Sequence, residues 1–281
     1  MSTNPESPAS PPEQSDHGSG GSGLRPVDPN VLLSLRGISK HFGAVQALRY
    51  VDLDIPAGKV TALIGDNGAG KSTLIKAVAG IYEPTAGHIY WKGEEVHIHQ
   101  PRAASDLGIA TVYQDLALCD NLDVVQNMFL GQEETKWGLL DEIQMELTTL
   151  KTLSDLSVST LKSPRQLIGS LSGGQRQSVA VARAVMHESQ LVIMDEPTAA
   201  LGVSQTEQVL GLIRTLAARG IAVLVISHNL NDVFSVADRI AVMYLGNLVS
   251  EGPIENYDTS SAVDLITTGS SGRVTSNANP K

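Results

Sequence analysis

The chain has 281 residues, of which 42% are hydrophobic and 4% aromatic, and its formal net charge is −10. No apolar run approaches the ~20 residues that cross a bilayer, and no secretory leader begins the chain, so a channel is excluded and a cytosolic location is expected. The acidic balance argues against a nucleic-acid surface, and Cys119 as the sole cysteine offers no intramolecular disulfide.

The two ends of the chain are poor in apolar residues. Residues 1–30 are dominated by Ser, Pro, Gly and acidic residues, and residues 269–281 have a similar composition. Such segments bury too little apolar surface to offset the entropy of ordering. We predict disordered tails at 1–30, where a docking peptide is the alternative, and at 269–281, with one domain over 31–268.

Strand-like segments begin the domain. They cover residues 31–36, 51–55 and 88–91 and are separated by turn residues such as Pro56-Ala57-Gly58. Short strands joined by turns pair in an antiparallel manner. We expect a small antiparallel layer beside a larger sheet.

A glycine-rich loop, GDNGAGKS at residues 65–72, follows the apolar run 61–64 and precedes a helical pattern over 74–79. Glycines in such a loop let successive N–H groups point at phosphate oxygens, the lysine adds a positive charge, and the serine offers a hydroxyl to Mg²⁺. A chance glycine turn is the alternative, but the strand before and the helix after argue against it. The predicted nucleotide-binding residues are Gly65, Asn67, Gly68, Ala69, Gly70, Lys71, Ser72 and Thr73.

A helical segment interrupts the alternation of strands and helices. Gln114 ends a short apolar strand that begins near Ala110, and residues 116–169 show helix-length patterns over 122–130 and 139–156 without β runs. We predict a helical insertion over 116–169 that divides the nucleotide-binding core. By itself, a glutamine after a strand would most simply face solvent.

A second glycine pair lies in LSGGQ, residues 171–175, just before a helix-forming segment. Ser172 and Gln175 have the spacing of a capping box. Capping alone does not require Gly173 and Gly174, since each glycine raises the entropic cost of ordering the turn. A bare backbone that a phosphate can approach explains them better.

Further short apolar runs, at 191–194, 221–226 and 239–244, alternate with helical patterns as buried parallel strands do. They predict an α/β core with a mostly parallel sheet. The first run ends at Asp195 and Glu196, which could hold Mg²⁺ and orient an attacking water. The second is followed by His228. Solvated carboxylates and a structural histidine are the alternatives.

The order of these motifs resembles the ATPase subunit of ABC transporters, over residues 31–250. The resemblance implies ATP and Mg²⁺ as cofactors and a P-loop NTPase core with an antiparallel β layer and a helical insertion. It makes Glu196 the general base, His228 the switch histidine and Gln114 a contact of Mg²⁺ or the lytic water. Ser72 and Asp195 would complete the metal site.

Two further roles are implied by the resemblance. Phe42 matches the aromatic residue that stacks on adenine, for which a core or surface phenylalanine is the alternative. Ser172, Gly173, Gly174 and Gln175 match the signature that meets the γ phosphate of nucleotide held by the opposite subunit. One departure is Gly202, where many relatives carry an aspartate that makes contacts across the dimer. The same change occurs in monosaccharide importers.

The segments 114–118, 121–131 and 227–234 look most like bacterial importers of the ribose, xylose and fructose type. This resemblance implies a homodimer at the cytoplasmic face of the cell membrane, bound to integral membrane permease subunits and served by an extracytoplasmic sugar-binding protein, with no nucleic-acid partner. An ABC ATPase for lipid or drug export is one alternative. A soluble ABC protein acting on DNA or the ribosome is the other.

Overall fold

A computed structural model describes residues 25–158, 160–186 and 188–270. Most of the two predicted tails, residues 1–24 and 271–281, therefore lies outside the described residues. Residues 25–30 are described, and Arg25 in this stretch forms ion pairs with Asp54 at 3.2 Å and Glu251 at 2.8 Å. Composition did not indicate this attachment because both partners are remote in sequence.

An antiparallel sheet of four strands forms the first layer, in the spatial order β2-β1-β4-β5. Its strands are β1 Leu33–Phe42, β2 Val45–Ile55, β4 Ala86–Trp91 and β5 Glu94–Val96. β1 pairs with both β2 and β4, and register shifts interrupt both ladders. This confirms the predicted antiparallel layer, with longer strands than the apolar runs indicated.

A six-stranded sheet forms the centre of the molecule, in the order β12-β11-β3-β10-β9-β6. Its strands are β3 Val60–Gly65, β6 Ile109–Val112, β9 Leu191–Asp195, β10 Ala222–Ile226, β11 Arg239–Tyr244 and β12 Asn247–Pro253. Every neighbouring pair is parallel except β11 with β12. The mostly parallel α/β core is therefore confirmed.

The helices of the described residues connect and cover these strands. They are α1 Lys71–Val78, α2 Pro101–Asp106, α3 Val124–Phe129, α4 Glu142–Asp155, α5 Gly173–Val185, α6 Val203–Ala218, α7 Leu230–Val236 and α8 Thr259–Thr268. Within the described residues no helix is both long enough and apolar enough to cross a bilayer.

The central sheet is buried on both faces, which explains its continuous apolar runs. On β9, Val192 and Met194 belong to the core that the sheet shares with α5 and α6. Leu191 and Ile193 point the other way, into the core between this sheet and the antiparallel layer. Burial on both sides fixes β9 firmly and so fixes the position of the acidic residues at its end.

The insertion over 116–169 is not purely helical. Thr135–Lys136 (β7) and Leu139–Leu140 (β8) form a small antiparallel hairpin, so the prediction of no β structure here was wrong. Trp137 and Gly138 join the strands with φ of 58° and 81°, the left-handed backbone that a two-residue hairpin turn needs. Leu139 therefore begins a strand rather than the predicted helix.

Side-chain caps set the helix boundaries of the insertion. Asp123 accepts a hydrogen bond from the Gln126 backbone N–H at 2.7 Å and starts α3. Asp141 does the same for Gln144 at 3.1 Å and starts α4. The predicted helices 122–130 and 139–156 were too long because these N-cap signals outweigh the apolar residues before them.

Candidate functional site

The glycine-rich loop lies between β3 and α1 at one end of the central sheet. Gly68 and Gly70 have φ of 81° and 103°, which favour glycine. A Cβ on Gly70 would lie 2.7 Å from the Ala47 carbonyl oxygen, so only glycine fits there. A Cβ on Gly68 would meet no atom within 4 Å, because this backbone faces an open cleft.

The cleft beside this loop has a volume of about 530 Å³. One wall consists of the loop and the start of α1, and the other comes from β2 and from the turn between β11 and β12. The lining residues are Val45, Gln46, Ala47, Arg49, Asn67, Gly68, Ala69, Gly70, Lys71, Ser72, Thr73, Tyr244, Leu245, Gly246 and Asn247.

The wall opposite the loop was not identified from the sequence. The Arg49 N–H donates to the Gly246 carbonyl at 2.8 Å, and the Gly246 N–H donates to the Ala69 carbonyl at 3.0 Å. These backbone bonds bring β2 and the β11–β12 turn onto the loop. No local sequence motif indicates that β2 and this turn contact the loop. The one local signal is Gly246, a turn residue with φ of 85°.

Lys71 lies almost fully buried within the loop. Its ammonium group donates to the carbonyl oxygens of Gly65 at 2.7 Å and Asp66 at 3.0 Å. Burial lowers the pKa of Lys71, and the charges of Glu196, Asp66 and Asp195 oppose that shift. Lys71 therefore interacts electrostatically with both acidic residues at the end of β9, so the three groups belong to one site.

The acidic pair lies at the carboxyl end of β9. Burial raises the pKa of Asp195, the charge of Glu196 raises it further, and Lys71 and Lys76 lower it. β9 pairs in parallel with β10, where Ile226 is opposite Asp195. The strand ends therefore place Glu196 beside the segment that carries His228.

Glu196 and His228 meet across these two strand ends. The His228 Nδ1 atom lies 2.8 Å from the Glu196 Oε2 atom. The glutamate side chain is 17% exposed and the histidine side chain 75% exposed, so the pair lies at the surface. A carboxylate and an imidazole in contact, open to solvent on one side, have the composition needed to orient and deprotonate a water.

Gln114 is exposed and lies two residues beyond β6, which pairs with β9 so that Val112 is opposite Met194. The sheet thus brings the glutamine to the same edge as Asp195. Phe42 is 42% exposed, at the end of β1, and does not line the cleft. Its ring packs edge-on against Tyr82, with ring centres 5.1 Å apart.

The segment Ser172 to Gln175 forms a complete capping box at the start of α5. The Gln175 N–H donates to Ser172 Oγ at 3.3 Å, and the Ser172 N–H donates to Gln175 Oε1 at 2.9 Å. None of these residues lines the cleft of the glycine-rich loop. Within one chain, the two glycine motifs therefore belong to separate surfaces.

The glycines of this segment also have a packing role, which the sequence interpretation did not consider. A Cβ on Gly173 would lie 2.8 Å from Leu201 Cδ2, and one on Gly174 would lie 3.1 Å from Gln205 Cβ. At Gly174, close contact between α5 and the start of α6 is by itself a reason for a small residue, whereas the end of the Leu201 side chain could move away from a Cβ at residue 173. Gly174 is consequently weaker evidence for phosphate contact than the sequence indicated.

A family model described as ABC transporter matches residues 48–199. The matched interval includes the glycine-rich loop, Gln114, the LSGGQ segment and the acidic pair. Phe42 and His228 fall outside it.

Curated relatives match most of the chain. A fructose import ATP-binding protein of Rhizobium meliloti is 44% identical over 84% of this chain and 94% of the relative. A xylose/arabinose import ATP-binding protein of Sulfolobus acidocaldarius is 42% identical over 86% of this chain and 96% of the relative. A ribose import ATP-binding protein of Rubrobacter xylanophilus is 40% identical, but only 49% of its length is covered.

Solved structures share the architecture. A nucleotide-free ATP-binding cassette from an ABC transporter superposes with a TM-score of 0.72 at 30% identity, covering 79% of this chain and 91% of that chain. The ATP-binding cassette MJ1267 superposes with a TM-score of 0.74 at 30% identity, covering 84% and 96%. The cleft, the acidic pair and the helical insertion thus belong to a fold that recurs in these cassettes.

Proposed function

The chain belongs to the ABC transporter ATPase family, and on this premise we propose that it powers the import of a monosaccharide through a partner membrane permease. Relatives named for fructose and for xylose or arabinose import match over more than nine tenths of their own length. This branch of relatives favours import over lipid or drug export, and over a role on DNA or the ribosome.

The observation that carries the proposal is the contact between Glu196 and His228 at the sheet edge that also holds Lys71. In this proposal, Glu196 accepts a proton from the attacking water. His228 contacts both the Glu196 carboxylate and the γ phosphate and so fixes their relative position. Lys71 exchanges its two carbonyl partners for phosphate oxygens. Backbone N–H groups of the loop would balance the remaining negative charge.

A magnesium ion fits the residues available at this edge. The Ser72 hydroxyl and the Asp195 carboxylate supply oxygen ligands, which Mg²⁺ prefers, and Gln114 offers an amide oxygen nearby in the sheet order. When bound, the ion would neutralise charge on the phosphates. Asp195 is partly desolvated and disfavours its own negative charge in the free chain, so a cation there would relieve that cost.

The proposed working unit is a homodimer. The segment Ser172 to Gln175 does not line the cleft of its own chain, yet it presents Ser172 and Gly173 at the surface. A second copy, turned so that this segment faces the glycine-rich loop, would complete two equivalent sites. We propose that ATP is enclosed there and that closure drives the permease at the cytoplasmic face of the membrane. An extracytoplasmic sugar-binding protein would deliver the solute.

The test uses the full chain with its permease, reconstituted in membranes. We expect Glu196→Gln to lower ATP turnover by roughly 10²–10³-fold, because the general base is lost, while MgATP binding is retained and a closed dimer accumulates. Phosphate release, calorimetric binding and sugar uptake are measured together. Glu207→Gln, on the exposed face of α6, is the control and should keep normal turnover.

Two results would contradict the proposal. Unchanged turnover in Glu196→Gln would remove this residue as the general base. Recovery of the protein with ribosomes or DNA, rather than with a permease, would remove the transport function.

A further inference from the structure

The contact between Glu196 and His228 joins two separate loops at the surface. A contact whose histidine side is this exposed contributes little on its own, because water competes with the carboxylate for the imidazole. In addition, Glu196 has a φ of 50°, a left-handed backbone that is costly for a residue with a side chain and persists only when surrounding contacts enforce it. Other interactions must therefore hold the two loops together.

One such interaction is a side-chain hydrogen bond beside the pair. The Thr198 hydroxyl donates to the Asp232 carboxylate at 2.7 Å in a partly buried position. Thr198 lies two residues after Glu196, and Asp232 lies four residues after His228, in the first turn of α7. A bond of this length to a charged acceptor is roughly twice as strong as a neutral one.

The segment between His228 and Asp232 can transmit this restraint. Ser227 Oγ accepts a hydrogen bond from the Asn229 N–H at 3.0 Å, and the Asn229 side chain accepts one from the Asn231 N–H at 3.1 Å. These short-range bonds make residues 227–232 one unit. On the other loop, the Ala199 N–H donates to the Glu196 carbonyl at 3.1 Å and closes the turn that carries Thr198.

We propose that Thr198 and Asp232 are positioning residues for ATP hydrolysis. Their bond holds the turn after Glu196 against the start of α7 and so keeps Glu196 and His228 in contact. The two side chains bond to each other rather than to Glu196 or His228, so the proposed effect is indirect. The inference rests on the proposed function, since it assigns these residues to the same hydrolytic pair.

Thr198→Val tests the bond, because valine has a similar shape and lacks the hydroxyl. We expect kcat for ATP hydrolysis by the full chain to fall roughly 10-fold, the effect of a strong hydrogen bond on geometry at the reacting atoms, with KM changed less than about twofold. Thr198→Ser keeps the hydroxyl and should restore most of the rate. Asp232→Asn keeps an acceptor without the charge and should lie between Asp232→Ala and the unchanged chain.

The matched control is Thr206→Val, the same exchange in the cleft that also contains Asp232. It should leave kcat unchanged. The positioning role also predicts a coupling that a purely structural role would not produce. In a chain already carrying His228→Ala, Thr198→Val should lower the residual rate by less than about twofold, because the contact that it supports is gone.

Three outcomes would overturn the inference. They are an unchanged kcat in Thr198→Val, a rate loss that is additive with His228→Ala, or equal losses of ATP affinity and kcat with no rescue by serine. If Thr198→Val fails to fold, as judged by circular dichroism, the Asp232→Ala and Asp232→Asn variants carry the same test. If Glu196→Gln itself kept full turnover, the proposed function would fail. If Glu196→Gln lowered turnover but the Thr198 variants left kcat unchanged, only the positioning role would fail.

Discussion

At the scale of single residues, burial of the charged groups of Lys71 and Asp195 at the candidate nucleotide site destabilises the chain without ligand. Lys71 bonds to carbonyl oxygens of its own loop, and burial lowers its pKa. Asp195 has a raised pKa for the same physical reason. Charges that are disfavoured in the free protein are the ones that gain most when phosphate and a cation arrive.

Asp195→Asn should therefore stabilise the free chain. The pKa of Asp195 in the folded chain lies above the 3.8 of an unperturbed aspartate. Its favourable contribution to folding stability is therefore fully present below pH 3.8 and is lost as the pH rises through the folded pKa. At pH 7, without nucleotide and with EDTA, we expect Tm to rise by about 2 °C, and the difference should shrink toward acid pH. Calorimetry at pH 7 and at pH 4, close to the unperturbed value of 3.8, measures this.

Asp264→Asn, at an exposed position of α8, provides the comparison and should show no such pH dependence. An Asp195→Asn variant with lower Tm at pH 7 would contradict the argument.

At the scale of elements, the junction of α5 with α6 explains two features at once. Gly174 has little room for a side chain because the start of α6 packs against it. Gly202 is the N-cap of α6, with extended backbone and no atom within 4 Å of an added Cβ. The glycine at 202 is thus not required by packing, in contrast to Gly174 in α5.

Gly202→Asp should consequently be tolerated. An aspartate at the N-cap can accept a hydrogen bond from a first-turn N–H, which is worth a few tenths of a kcal/mol over glycine, so unfolding in urea should shift slightly upward. Gly202→Ala has no such acceptor and should lower the free energy of unfolding by roughly 0.5 kcal/mol. If both variants moved in the same direction, capping would not be the reason.

Sequence reasoning identified the elements whose signals are local. The apolar run of β9, the glycine-rich loop and the acidic pair are contiguous in sequence, and the sheet then forces the strand ends together. It missed the hairpin at Trp137 because a tryptophan with positive φ is not a usual turn signal, and it missed Arg49 and Tyr244 because only tertiary backbone bonds bring them to the cleft. The Thr198–Asp232 bond could not be predicted either, because the two residues are 34 positions apart and only the fold brings them together.

At the scale of the whole molecule, a charged network ties the antiparallel layer to the edge of the central sheet. Arg36 is 1% exposed and pairs with Asp54 at 2.7 Å. Arg25 pairs with both Asp54 and Glu251, and Glu251 also pairs with Arg239 on β11 at 3.0 Å. The network joins residues from the first described segment to the last strand, so it resists separation of the layers.

Arg36→Met should break this network at its most buried point. The substitution leaves the Asp54 carboxylate largely buried without its closest cation, which costs roughly 3 kcal/mol. We expect Tm to fall by about 6–12 °C. Arg102→Met, at an exposed position of α2, should change Tm little. Equal shifts in the two variants would mean that burial of the pair does not matter.

The separation of the Ser172 segment from the cleft of its own chain has a kinetic consequence. If two copies share each site, the rate of hydrolysis by the free protein depends on the square of its concentration when the protein is dilute. A permease that holds two copies side by side converts that encounter into an intramolecular one, with an effective concentration that can reach the millimolar range. Assembly with the permease would then limit hydrolysis that moves no solute. Unassembled subunits at low concentration would consume little ATP, and most hydrolysis would take place in the assembled transporter.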